Sequence, residues 1–211
     1  MKRILAPILL LVFLFPSIAM GVTVKYEDLV KLEGLHYYKF TGEPFTGKVA
    51  GKTQGSFKNG KPYGAWVIYH DNGQLWAKGT YKNDKRDGPW VFYYKNGQLE
   101  SKGTFKDGKR DGAWVIYYDN GQLLIKGTYK DGKKNGPWVD RRKNGQLWTK
   151  GTYKDGQWDG PWVNYYKSGQ LQSKGTYKDG KKDGPWVGYK NDGTVEGYFT
   201  GTFKDGAKVS D

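Results

Sequence analysis

The sequence predicts an all-β fold, an elongated antiparallel meander of tandem 24-residue β-hairpin repeats, and three observations carry that reading. Glycines open near-identical blocks at Gly55, Gly79, Gly103, Gly127, Gly151 and Gly175, and a truncated block follows at Gly201 after a longer step. A period of this length marks a repeat array rather than a closed globule. Blocks are joined by Asn72-Gly73, Asn96-Gly97, Asn120-Gly121, Asn144-Gly145, Ser168-Gly169 and Asp192-Gly193, residues that tolerate the positive φ of a two-residue I′ hairpin turn. Inside each block a longer connection such as Asp107 to Gly112 holds two glycines and turn-forming side chains, followed in four copies by Pro89, Pro137, Pro161 or Pro185 at the first position of a strand.

Residues 1–21 open with Lys2 and Arg3, run apolar from Ile4 to Phe15 and reach small residues at Ser17, Ala19 and Gly21. That order is a secretory signal, and its apolar run is shorter than the roughly 20 residues of a spanning helix. Cleavage after Ala19 or after Gly21 satisfies the small-residue rule. The mature chain is therefore expected to be secreted or periplasmic and not transmembrane. The sequence has no cysteine, which removes lipoprotein anchoring, disulfides and thiolate metal sites.

Residues 22–54 form a degenerate repeat, expected as the cap that covers the first edge of the array. Tyr26 to Lys31 reads as a short helical turn, and Leu35 to Tyr38 with Phe45 to Val49 reads as fragments of the same hairpin.

Residues 55–200 are the six tandem repeats. With a two-residue turn, Lys95 faces Gln98, Tyr94 faces Leu99, Phe92 faces Ser101 and Trp90 faces Gly103 on one face. Each tryptophan then fills the volume left by a glycine across the hairpin, as Trp114 does with Gly127. The other face, assigned to water, carries Tyr69, Tyr93, Tyr117, Tyr165 and Tyr189 in one column. It also carries Lys78, Lys102, Lys126, Lys150 and Lys174 in a second column, and Lys82, Lys106, Lys130, Lys154 and Lys178 in a third. Neighbouring copies lie about 10 Å apart, two strand spacings.

The fourth copy departs from this pattern. Asp140, Arg141 and Arg142 replace the Ile-Tyr-Tyr of the third copy, so Arg141 joins the tyrosine column, while Asp140 and Arg142 fall on the tryptophan face as an expected solvated ion pair. The row two residues beyond each tryptophan runs Ile68, Phe92, Ile116, Asp140, Asn164, Gly188 and turns polar. Residues 201–211 are a truncated repeat, read as the C-terminal cap.

The pattern from Lys82 to Leu99, Lys-Asn-Asp-Lys-Arg-Asp-Gly-Pro-Trp-Val-Phe-Tyr-Tyr-Lys-Asn-Gly-Gln-Leu, resembles the bacterial variant of the MORN (membrane occupation and recognition nexus) repeat. The resemblance covers about residues 55 to 206 and implies a hairpin array without catalytic residues. For function it implies two things: bacterial chains of this kind are MORN-repeat proteins or YwqK-like antitoxins, and eukaryotic ones act as scaffolds or anionic-lipid binders.

Chemistry-bearing residues are sparse. His36 and His70 are the two histidines, and neither stands at metal-ligand spacing from another strong ligand. Asp107 and Asp111 recur as Asp or Asn in the loops of the second to sixth copies, turn formers rather than a carboxylate pair. No enzyme, cofactor or metal is expected. The net charge is +14, and an exported chain this basic points to anionic partners other than nucleic acid. The leading reading is an exported, non-catalytic binding or scaffolding module for a protein or an anionic envelope component, lipid head groups or cell-wall polymer. The candidate surface is the tyrosine column and the first lysine column with Arg141. The alternative is an antitoxin or immunity protein that neutralises a toxin by direct binding.

Overall fold

The computed structural model describes residues 21–39 and 41–211, so the export signal expected at the N-terminus lies outside the described residues apart from Gly21. The described chain is a 19-stranded sheet with a small two-stranded one. It has no α-helix, only 3-10 turns at Tyr26–Asp28 and Gly197–Phe199. From Gly47 onward the chain runs as an antiparallel meander through to Ala207–Ser210, with the short strands Lys85–Arg86, Gln157–Trp158 and Lys181–Lys182 pairing on the same neighbour as the strand that follows each. The all-β meander of hairpin repeats is therefore the observed architecture. No helix among the described residues is long and apolar enough to cross a membrane.

The two turns of each repeat exchange the roles expected of them. The two-residue I′ turn is Asp107-Gly108, with φ of 51° and 82°, closing Lys106 against Lys109, and it recurs at Asp131-Gly132, Asp155-Gly156 and Asp179-Gly180. At Asn96-Gly97 only the glycine has positive φ. There Tyr94 N–H donates to Gln98 O and Gly97 N–H to Tyr94 O, which is a three-residue loop ending in a left-handed glycine. Tyr93 consequently faces Leu99, not Glu100, and Tyr94 does not face Leu99. A β-bulge between Leu99 and Ser101 then restores Phe92 to Ser101, Lys102 to Val91 and Gly103 to Trp90, the pairs the alternation requires. The longer loop and the bulge cancel from Phe92 inward, so the face assignments survive there, whereas Leu99, expected on the tryptophan face, joins Tyr93 on the open one.

Both turn rows are stitched from repeat to repeat. Asn72, Asn96 and Asn120 donate side-chain N–H to the carbonyls of Lys95, Asp119 and Lys143, 2.8–3.0 Å away. At the opposite end Gly108, Gly132, Gly156 and Gly180 donate backbone N–H to the preceding repeat. Backbone groups at the strand ends thus find partners in the neighbouring repeat without a second layer.

The core is a single file of aromatic rings. Trp66, Trp90, Trp114, Trp138, Trp162 and Trp186 are all buried, and Phe57, Tyr81, Phe105, Tyr129, Tyr153 and Tyr177 alternate with them edge-to-face at centroid separations of 4.8–6.3 Å. Edge-to-face pairs put the positive rim of one ring on the negative face of the next, a favourable arrangement beyond area burial. A cation closes the outer side: Arg86, Arg110, Lys134 and Lys182 sit 4.2–4.6 Å from the centroids of Trp90, Trp114, Trp138 and Trp186. In the fifth copy Trp158 takes that place, 5.5 Å from Trp162. The tryptophan face is therefore closed.

Each tryptophan covers the glycine of the strand before it. A Cβ on Gly127 would fall within 3.0 Å of three Trp138 ring atoms, so the ring filling that space is Trp138 rather than Trp114, although both tryptophans are in register with the glycine.

At the N-terminal end, Thr23–Lys25 pairs parallel with Gly47–Ala50. The helical turn expected over Tyr26 to Lys31 is confined to Tyr26–Asp28, because Leu29–Leu32 instead forms a hairpin with Leu35–Tyr38. Leu35–Tyr38 meets the expected second fragment, Phe45 to Val49, only at its start, through an antiparallel bridge from Tyr37 to Pro44 and a bond from Phe45 N–H to His36 O, and the strands Leu35–Tyr38 and Gly47–Ala50 do not pair along their length. Phe45, Val49 and buried His36 close the aromatic file at Phe57, His36 lying 4.7 Å from the Phe57 ring. At the other end Phe199 and Phe203 share Lys182 with Trp186.

Candidate binding face

With the aromatic file sealed, the open side of the sheet is the face assigned to water. Its register builds straight rows. Val67, Lys78, Val91, Lys102, Val115, Lys126, Val139, Lys150, Val163, Lys174 and Val187 pair in succession across the strands. Every lysine stem thus lies between valines, with its ammonium in water, as long amphipathic side chains do; all five lysines are exposed. Two positions along, Tyr69, Tyr93, Tyr117, Arg141 and Tyr165 pair with Leu75, Leu99, Leu123, Leu147 and Leu171. The column tyrosines, Tyr189 included, are half-buried. The structure therefore brings the predicted tyrosine and lysine columns together on one face. The lysines Lys82, Lys106, Lys130, Lys154 and Lys178 stand apart, at the I′ turns, where Lys106 opposes Lys109 and aspartates crowd the loop.

Arg141 occupies its tyrosine-column position, but its guanidinium turns back to donate to Gly145 O at 2.9 Å. The expected Asp140–Arg142 ion pair is absent. Asp140 instead accepts from Trp138 Nε1 at 3.0 Å, and Arg142 donates to Tyr165 O at 2.9 Å, the same reach into the next repeat that the Tyr94, Tyr118 and Tyr166 hydroxyls make. The reason is local. Trp90, Trp114 and Trp186 donate to threonine carbonyls, but in the fourth and fifth copies a carboxylate or amide oxygen stands two residues on, and Trp138 and Trp162 donate to Asp140 and Asn164. Burial pushes the Asp140 carboxyl up from the ordinary value, against the Trp138 hydrogen bond and Lys134. Asn164 also accepts from Thr149 and donates to Ser173, whereas the buried Nε of Arg142 has no hydrogen-bond partner among the described residues.

Sequence reasoning did not single out Trp76 and Trp148. Both are bulge residues of the open face, 38% and 49% exposed, each two residues before a row lysine, and Arg142 lies 5.4 Å from the Trp148 ring. The signal that finds them is alternation: they share the column of Glu100. Also missed were the cations over the tryptophans, hidden inside what reads as loop. Burial pushes the Lys182 ammonium down. Among the described residues no three His, Cys, Asp or Glu side chains are grouped to hold a metal.

The family model described as MORN repeat variant matches residues 62–83, 86–107, 110–131 and 158–179, and the MORN repeat model matches residues 126–137. The window the first model skips, 134–155, is the copy with Asp140, Arg141 and Arg142. Among curated proteins none matches the chain. Among solved structures, the crystal structure of GtfA/B complex bound to UDP and GlcNAc is similar over 72% of this chain, at 12% identity and a TM-score of 0.21. This chain spans 29% of that one.

Proposed function

Since the chain is a MORN-repeat protein, a repeat-based binding module, we propose that it is exported and, without catalysing a reaction, uses the open face of its sheet to hold a protein or an anionic envelope component. One observation carries the reading: a row of exposed lysines set among valines and half-buried tyrosines, on the side opposite a core that is already closed. Apolar footing framed by uncompensated cations is the composition of a recognition surface for an anionic partner. The order of basic, apolar and small residues in 1–21 supports export.

The test is affinity capture from envelope extract with the mature chain and with Lys102, Lys126 and Lys150 changed together to Gln. Capture should weaken and lose salt dependence in the variant, because exposed charges are screened over roughly 8–10 Å at ordinary salt. Undiminished capture by the triple variant, with loss on changing Trp76 and Trp148 in a folded protein, would leave the lysines a solubility device. Full-length chain retained in the cytosol would remove the envelope from the proposal.

A further inference from the structure

The lysine row has a direction, a period and a chemical neighbourhood, and together they narrow the ligand. Acidic residues of the repeats gather in the turns or, as Asp140, beside the core; on the strands of the open face only Glu100 and, at the loop end opposite Thr104, Asp111 are acidic. Lys78, Lys102, Lys126, Lys150 and Lys174 thus face solvent, outnumbering the two carboxylates Glu100 and Asp111 on the strands beside them. Successive lysines stand about 10 Å apart across the strands. Along each strand the lysine is flanked on the same side by a bulge side chain, Trp76 beside Lys78 and Trp148 beside Lys150, and by a threonine, Thr80 or Thr152. An exposed indole, an ammonium and a hydroxyl in line offer a sugar ring a face to stack on, a charge partner and a hydrogen-bond partner.

A sheet of ordinary twist turns by roughly 20° per strand, so the row from Lys78 to Lys174, eight strand steps, winds through roughly 160°. A flat bilayer meets only part of such a row. A flexible linear polymer can follow it.

We propose that the row binds an extended acidic polysaccharide, laid across the strands with one carboxylate per disaccharide at each lysine and sugar faces on Trp76 and Trp148. The match is of period: two strand spacings, about 10 Å, is the order of an extended disaccharide. This rests on the reading of the open face as the binding face and names its ligand class.

The experiment titrates the mature chain with hyaluronan oligosaccharides, in which a uronate alternates with an uncharged sugar, from one disaccharide to chains longer than the row. Phosphatidylglycerol-containing vesicles run in parallel. Affinity should rise with each added disaccharide until five lysines are met and then level. Lys126→Gln and Trp148→Ala should each lower it several-fold, with melting of both variants unchanged. Absence of glycan binding at every length, or binding indifferent to length, overturns the polysaccharide. If vesicles then bind in a lysine-dependent way, the open face stands as the binding face; if capture survives the triple lysine change, both readings fall.

Discussion

The packing of tryptophan over glycine makes the sharpest demand on the sequence, and Gly103→Ala tests it. A Cβ at Gly103 would lie within 3.0 Å of three Trp114 indole atoms. That ring has no exposed surface and little freedom to retreat: Phe105 stands edge-on at 5.0 Å, Tyr129 at 6.3 Å and Arg110 over it at 4.3 Å. Overpacking of a filled site costs about 1–3 kcal/mol, and the smaller unfolded-state entropy of alanine offsets about 0.4–1 kcal/mol of that. Net destabilisation of about 1–2 kcal/mol should lower the melting midpoint by roughly 2–8 °C, at about 2–4 °C per kcal/mol for a chain of this size. Urea titration followed by tryptophan fluorescence measures it. The same substitution made in Trp114→Leu and Trp90→Leu backgrounds identifies the ring, because only residues in contact couple by more than about 0.5 kcal/mol. Coupling to Trp90 instead of Trp114, or a cost under about 0.5 kcal/mol, would refute the packing described.

Two titrating groups give opposite pH dependences. Asp140 has its folded pKa raised above the ordinary 3.8 by burial, so its favourable contribution is complete below that value and is lost as pH rises through the folded pKa. Asp140→Asn, which keeps an acceptor for Trp138 Nε1, should therefore be more stable than the parent at pH 7 and equal to it near pH 3; thermal melts across that range decide, and a parent more stable at neutral pH contradicts the burial argument. His36 has its pKa lowered, first by burial, against the Gly60 carbonyl, which raises it. Its contribution is present above about 6.5 and lost as pH falls through the folded value, so the N-terminal cap should loosen on acidification. Protection against hydrogen exchange at Phe45 and Gly60, whose backbone N–H groups bond across the cap, measured relative to the intrinsic rate at each pH, should fall below neutral pH in the parent and not in His36→Gln.

Much of this was legible because a 24-residue period copies every local signal six times. Strand alternation placed Trp90, Phe92 and Ser101 on one face and Val91 and Lys102 on the other, as observed. The turns were not legible in detail. An Asn-Gly pair suits a two-residue turn and a three-residue loop equally, and at Asn96-Gly97 the loop's extra residue is cancelled by the bulge at Glu100, so both choices give the same pairing from Phe92 inward. The core's closure was illegible for a related reason: Arg86, Arg110 and Lys134 read as loop charges, and only the fold of the hairpin brings them over the rings. Of the candidate face, the tyrosine and lysine columns followed from alternation, whereas the turning of Arg141 onto Gly145 depends on side-chain geometry that no periodicity encodes.

The polar insert has a consequence for how the array comes apart. The apolar core runs unbroken from Phe45 to Trp114, with Tyr129 against it, and resumes at Trp162, Trp186 and Phe203; between the two stands Trp138, tied to Asp140. Where earlier copies set Ile68, Phe92 and Ile116 beside the aromatic file, Asp140 and Asn164 remove apolar area, and full burial of such a side chain is worth about 1.5–3 kcal/mol. In an array stability is a sum of repeat and neighbour terms, so a weak neighbour term lets one side open without the other. Native-state hydrogen exchange should accordingly find the amides of Gly160–Tyr165 and Leu171–Lys178 opening at lower free energy than those of Leu99–Lys106. Changing Asp140 to Ile together with Asn164 to Phe should narrow that difference, since it restores the side chains of the third and second copies and frees Trp138 to donate to the Thr128 carbonyl, as Trp114 does to that of Thr104. A single opening free energy for all these amides in the parent chain would show that the edge-to-face contacts of Trp138 with Tyr129 and Tyr153, both at 5.4 Å, are enough to couple the two halves despite the polar row.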